Sequence, residues 1–174
     1  MNLFIKSQIT FKISKFLYIN DEEIVRTMYK SIHRNEDKKL HDNNITQFLC
    51  VMNGGKLVQN CKNHALWGTH GITDGVVTYE ITSTHHQMQY PYNLSSSSYD
   101  LLYKSEPRLS SIYAGDLIKL EKILECGEPE VVLYHKKTLP MCLAIQGHPE
   151  MIPDSPVAKM LSDKIHMLCK DLKK

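Results

Sequence analysis

The chain has 174 residues, of which 42% are hydrophobic and 23% charged. That is length for one domain with a real core and the composition of an ordinary globular protein. A formal net charge of +2 makes no electrostatic case for a nucleic-acid or membrane partner, and no apolar run approaches the roughly 20 residues of a membrane span. Five cysteines (Cys50, Cys61, Cys126, Cys142 and Cys169) show no CxxC spacing. An odd count argues against a complete disulfide framework, so reduced thiols in a cytoplasmic setting are expected.

The N-terminal stretch MNLFIKSQITFKISKFLYIN alternates lysines with apolar residues. It lacks the continuous apolar core and small-residue cleavage site of a secretory signal. Residues 3–19 are read as one or two strands. Asn20-Asp21 offers a helix N-cap, with Glu22 and Glu23 in the first turn. Ile24, Val25, Met28 and Ile32 then share one helical face. Residues 34–44 are polar and are read as a loop or frayed helix end. A short helix is predicted from Ile45 to Met52, stopped by Asn53-Gly54-Gly55, because glycine supplies the left-handed cap. Lys56 to Asn60 is extended, and His64 to Gly71 is a loop. Thr73-Asp74-Gly75 signals a turn. A strand from Val76 to Thr84 delivers His85 and His86 at its far end. Tyr90-Pro91-Tyr92-Asn93 and the serines at 95–98 form a surface loop.

Tyr99–Tyr103, Ile118–Leu124, Val131–Tyr134 and Met141–Ile145 are further strand candidates. Ser155 caps a last helix with Pro156 in its first turn. Val157, Met160, Leu161, Ile165 and Leu168 give that helix an apolar stripe suited to a sheet. Strands and helices in mixed order indicate an α/β or α+β fold, as a single domain over 1–174.

The chemistry concentrates in Gln146-Gly147-His148-Pro149-Glu150. Pro149 holds His148 away from helical angles. In an extended segment, side chains two apart point the same way. His148 and Glu150 can therefore face one site as a base and its orienter. Two surface polar residues in a turn after a strand would give the same spacing. The nine histidines raise the question of a metal. However, His85 and His86 are adjacent and would point to opposite strand faces. His64 and His70 have no Cys or Asp partner at standard spacing. No metal and no cofactor are expected.

Gln146 to Glu150 resembles the His-Pro-Glu signature of class I glutamine amidotransferases and their γ-glutamyl hydrolase relatives. Ser83-Thr84-His85-His86-Gln87 is similar to a Ser-x-His-His-Gln segment of one subgroup. Gln47 to Asn60 resembles the helix and strand that follow the family nucleophile. The matches occur in family order and are strongest over 47–174. The resemblance implies a flavodoxin-like three-layer sandwich with its N-terminal part shortened or diverged, and a site at the carboxyl ends of the strands. It implies a cysteine thiolate attacking a γ-glutamyl amide, with His148 as base and Glu150 as orienter. One of His85 and His86, with Gln87, would line the γ-glutamyl pocket. Glutamine or a γ-glutamyl small molecule is the expected ligand, and a synthetase or acceptor domain the possible partner.

The nucleophile position falls on Asn43, within His41-Asp42-Asn43-Asn44-Ile45. There is no cysteine there and no flanking glycine, and β-branched Ile45 stands where the family has glycine. Residues 1–53 contain no glycine, so the family's Gly-Gly loop before the elbow is missing as well. Cys50 is expected to be buried and inert, and Cys61 to lie closer to the surface. Three readings follow: a Cys-dependent enzyme of this family, a non-catalytic relative that binds a ligand or partner, and a fragment of the enzyme.

Overall fold

The computed structural model describes residues 43–64, 68–83, 85–106, 110, 113, 120–137, 139 and 141–171. The strands expected over 3–19, the helix after Asn20 and the first two residues of the elbow, 41 and 42, lie outside these residues. The described chain is mixed α/β. It runs α1 (Asn43–Met52), β1 (Lys56–Val58), β2 (Gly68–Thr73), β3 (Thr78–Ser83), β4 (Met88–Tyr90), β5 (Tyr99–Glu106), α2 (Leu120–Cys126), β6 (Pro129–Tyr134), β7 (Cys142–Ile145) and α3 (Pro156–Asp171). β1 pairs with β4, and the other strands form one sheet in the order β3-β2-β5-β6-β7. Every pairing among these strands is antiparallel.

Strand alternation assigns the two faces of β6 and β7. Val131 and Leu133 with Leu143 and Ile145 pack against Val157 and Leu161 of α3, joined by Met160, Ile165 and Leu168. This is the stripe that helical spacing predicts. α3 starts where expected, with the Ala158 N–H donating to Ser155 Oγ at 3.2 Å. Val132, Tyr134, Cys142 and Ala144 face the other way and meet Leu49 and Cys50 of α1. A third cluster joins Val58, Cys61, Met88 and Tyr90 to Ile123 of α2. The sheet is thus covered on both faces, which lets strands such as β6 be buried along their full length.

α1 ends as anticipated. Gly54 has φ +88°, and the N–H groups of Gly54 and Gly55 donate to Val51 O and Cys50 O, satisfying carbonyls the helix leaves open. The turn before β3 also forms as read: Asp74 Oδ1 accepts from the N–H groups of Val76 and Val77, each at 2.9 Å.

Four readings are corrected. His64–Gly71 is not all loop, because Gly68–Thr73 is β2, clamped between β3 and β5. Its two glycines hide the strand from propensity, and pairing on both sides overrides that weakness. Tyr90 is not in a surface loop but is a buried residue of β4. Ile118–Leu124 is not a strand: Leu120–Cys126 is helix α2, where Lys122 and Glu125 pair at i,i+3, 2.7 Å apart. Cys61 is not near the surface; it is 2% exposed.

The sheet also curls. The β5–β6 register shifts on both sides of Tyr103, as a bulge does when it bends a strand and re-aims side chains. Tyr103 pairs with Val131 beside α3, yet Ser105 reaches Glu128 on the opposite side of β6. The outer strands β3 and β7 then come together at one end. The His148 N–H donates to Thr82 O at 3.2 Å, and Thr82 Oγ1 donates to His148 O at 2.6 Å. Gly147 makes this approach possible, since a Cβ there would lie 2.7 Å from Ile81 Cδ1 and from Thr82 O.

Candidate functional site

His148 follows β7 at the point where the sheet edges meet. Its backbone is held away from helical angles, with φ −119° and ψ 73°, in agreement with the restriction Pro149 imposes. Glu150 is not extended, however. Pro149–Met151 forms a 3₁₀ turn, and the turn, not strand alternation, brings the carboxylate round. His148 Nδ1 lies 2.8 Å from Glu150 Oε1. An ionised carboxylate only accepts, so Nδ1 carries a proton and, in the neutral ring, the lone pair is on Nε2. His148 is 2% exposed, which excludes the reading as two surface polar residues. Nε2 is buried and has no hydrogen-bond partner among the described residues. The pair therefore has the form of an oriented base.

The start of α1 is tied to this corner. Thr46 Oγ1 donates to Ile145 O at 2.7 Å. Gln47 Nε2 and Gln146 Nε2 both donate to Gln87 O at 3.2 Å, and Gln146 Oε1 accepts from the Gln89 N–H. Asn43 is the first residue of α1, one turn before Thr46. His85 and His86 separate as their adjacency requires: His85 is buried and His86 exposed. Gln87 is half-buried and donates to Gln59 Oε1 at 2.7 Å. His86 and Gln87 are thus open to a ligand, and His85 points inward.

No family model, curated protein or solved structure matches this chain. Chemistry has to be argued from the side chains.

The buried cysteines Cys50, Cys61 and Cys142 are poor nucleophiles. Burial pushes the Cys50 thiol up to about 11 and the Cys61 thiol up to about 12, with the charges of Glu128 and Glu130 adding to the latter. Thiolate is the reactive form, so both are inert near neutral pH. Burial raises Cys142 as well.

A second polar centre escaped the sequence reading. His64, His70 and His85 do converge, on Glu130, and all four residues are buried. Burial alone would raise the Glu130 carboxyl, but the surrounding imidazoles of His70, His85 and His64 hold it below its ordinary value. Glu128 beside it is lowered too: hydrogen bonds from His64, Ser110 and Tyr113 outweigh its burial. Burial works against the charged form of His64, yet its two carboxylate neighbours raise it. Burial drives His85 down to about 3, which leaves it neutral. These residues come from β2, β6 and two loops. Only a hairpin that places His70 inside, which the loop assignment of 64–71 removed, would have signalled them.

Proposed function

We propose that this chain is a relative of the class I glutamine amidotransferases and γ-glutamyl hydrolases that binds a γ-glutamyl amide without turning it over. In this reading the described residues belong to a flavodoxin-like sandwich. The observation that carries it is the His148–Glu150 pair, 2.8 Å apart, with Nε2 buried and unpartnered among the described residues. That is the base half of a nucleophilic site, and it stands beside the helix whose first residue is Asn43. His86 and Gln87 supply polar contacts for the glutamyl group. Loss of turnover follows from the residue types. An Asn amide cannot replace a thiolate, and Cys50 and Cys61 hold their protons.

The test is glutamate release from glutamine and from simple γ-glutamyl amides, together with calorimetric binding of the same compounds. Saturable binding without release is expected. Release that a thiol alkylator abolishes, and that His148→Ala also loses, would overturn the assignment of Asn43. The placement is tested separately by Asn43→Cys. A thiol beside an imidazole is activated, so its alkylation at pH 7 should slow at least severalfold when His148→Ala is added. Equal rates would remove Asn43 from the site.

A further inference from the structure

The geometry points to a metal-binding site in the interior of the sheet, in which His64, His70 and Glu130 hold one divalent first-row transition ion of the zinc class, with His85 beside them. Glu130 Oε1 lies 3.1 Å from His70 Nε2, 3.6 Å from His64 Nδ1 and 3.8 Å from His85 Nε2. Donor atoms of His64, His70 and Glu130 all fall within 4.8 Å of one another. Four ligands about 2.0–2.1 Å from a tetrahedral ion sit roughly 3.3–3.4 Å apart. The separations from Glu130 bracket that edge length.

The donor atoms are also chemically available. His64 Nδ1, His85 Nε2 and Glu130 Oε2 are buried without a hydrogen bond among the described residues, and His70 Nε2 faces Glu130 Oε1 at 3.1 Å. Buried polar atoms are nearly always satisfied, so donor atoms left unbonded around Glu130 call for a ligand. Two tautomers are set from behind. His85 Nδ1 lies 2.9 Å from Gln87 O, a carbonyl that can only accept, so the proton is on Nδ1 and the lone pair on Nε2. His64 Nε2 lies 3.0 Å from Glu128 Oε2, so in the neutral ring with its proton there the Nδ1 lone pair faces Glu130. Metal-binding histidines are oriented in this way, the far N–H given to a carboxylate or backbone carbonyl. Glu128 is itself held by Ser105 Oγ at 2.8 Å, Tyr113 OH at 2.7 Å and the Ser110 N–H at 3.1 Å.

Imidazoles and a carboxylate suit zinc or cobalt, not calcium or magnesium, which demand oxygen ligands. His85 Nε2 stands 3.8 Å from Glu130 Oε1; drawn in as a fourth ligand, it would close the coordination sphere and make the ion's role structural. The ion would bind β2, β6 and the segments carrying His64 and His85 into one unit. The site uses neither His148 nor Asn43 and stands independently of the γ-glutamyl reading.

The experiment takes the full chain through a chelator, removes it, and adds Zn2+ or Co2+. One equivalent of metal per chain, a Tm that rises with Zn2+ and the visible d–d bands of tetrahedral Co2+ are expected. His70→Gln should abolish the Co2+ spectrum. Glu128→Gln, which touches no ion, should weaken Zn2+ binding by about 10–100-fold. The exposed His166→Gln should change nothing. A Tm indifferent to Zn2+ would overturn the proposal and leave a metal-free polar cluster in the interior. Zn2+ binding equal in wild type and His70→Gln would also overturn it, by placing the metal on surface histidines. Should His70→Gln fail to fold, the Co2+ spectrum of the wild type and the Glu128→Gln titration decide the matter.

Discussion

The two faces of β6 and β7 present opposite solutions to burial. On the α3 side, Val131, Leu133, Leu143 and Ile145 bury against Val157 and Leu161, and any close-packed apolar partner would serve. On the other side the same strands begin apolar, at Val132, Tyr134, Cys142 and Ala144. They become polar toward Glu130 and Gln146, both fully buried. Hydrophobic burial is non-directional and grows with area. Polar burial is tolerated only where every group finds a partner in the right geometry. The apolar face therefore supplies stability, and the polar face specifies position: it aligns α1, Gln87 and the segment that carries His148.

The sharpest way to break this comparison is to open a cavity on the apolar face. Leu161 is 2% exposed within that cluster. Leu161→Ala should cost about 2–5 kcal/mol, read as a shift in the denaturant midpoint at unchanged slope. The tautomer of His148, followed by NMR of its ring, should stay as in the wild type. A loss well under 1 kcal/mol would mean that α3 is loosely docked and that the polar face carries the fold.

The same contrast explains what could be read from the residues alone. α3, β6, β7 and the Asp74 turn were legible because period and capping chemistry are local. β2 was not, because Gly68 and Gly71 weaken its pattern and its strand character comes from β3 and β5 on either side. α2 was mistaken for a strand because its few apolar residues fit either period, and Lys122–Glu125 spacing carries the helical sign. His148 and Glu150 are two residues apart, so their meeting was readable even though a 3₁₀ turn produces it. His64, His70, His85 and Glu130 meet only through the curl of the sheet, and no spacing rule encodes that.

A subtler probe separates the faces by chemistry instead of volume. Thr46 is fully buried and its hydroxyl donates to Ile145 O at 2.7 Å. Thr46→Val keeps nearly the same volume and deletes the donor. A loss of about 1–3 kcal/mol is expected from the missing bond and the carbonyl left behind. If position is the main product of this face, γ-glutamyl binding should weaken along with stability. A variant that is destabilised but binds normally would detach α1 from the site.

The smallest expected effect tests how dry the polar face is beneath α1. Cys50 is fully buried and its Sγ donates to Lys56 O at 3.3 Å. Burial raises its thiol from 9.0 to about 11, so the folded state holds a proton that the unfolded chain releases first. The sign follows from linkage: this contribution is complete below pH 9 and is lost as pH rises toward 11. The expected loss is about 0.4 kcal/mol at pH 9, and it grows above that. Packing changes shift the whole curve, so the readout is the slope of stability between pH 8 and 10 in wild type against Cys50→Ala. A shallower slope in the variant is expected. Identical slopes would mean that the folded thiol titrates as it does in water, and that α1 does not seal this side of the sheet.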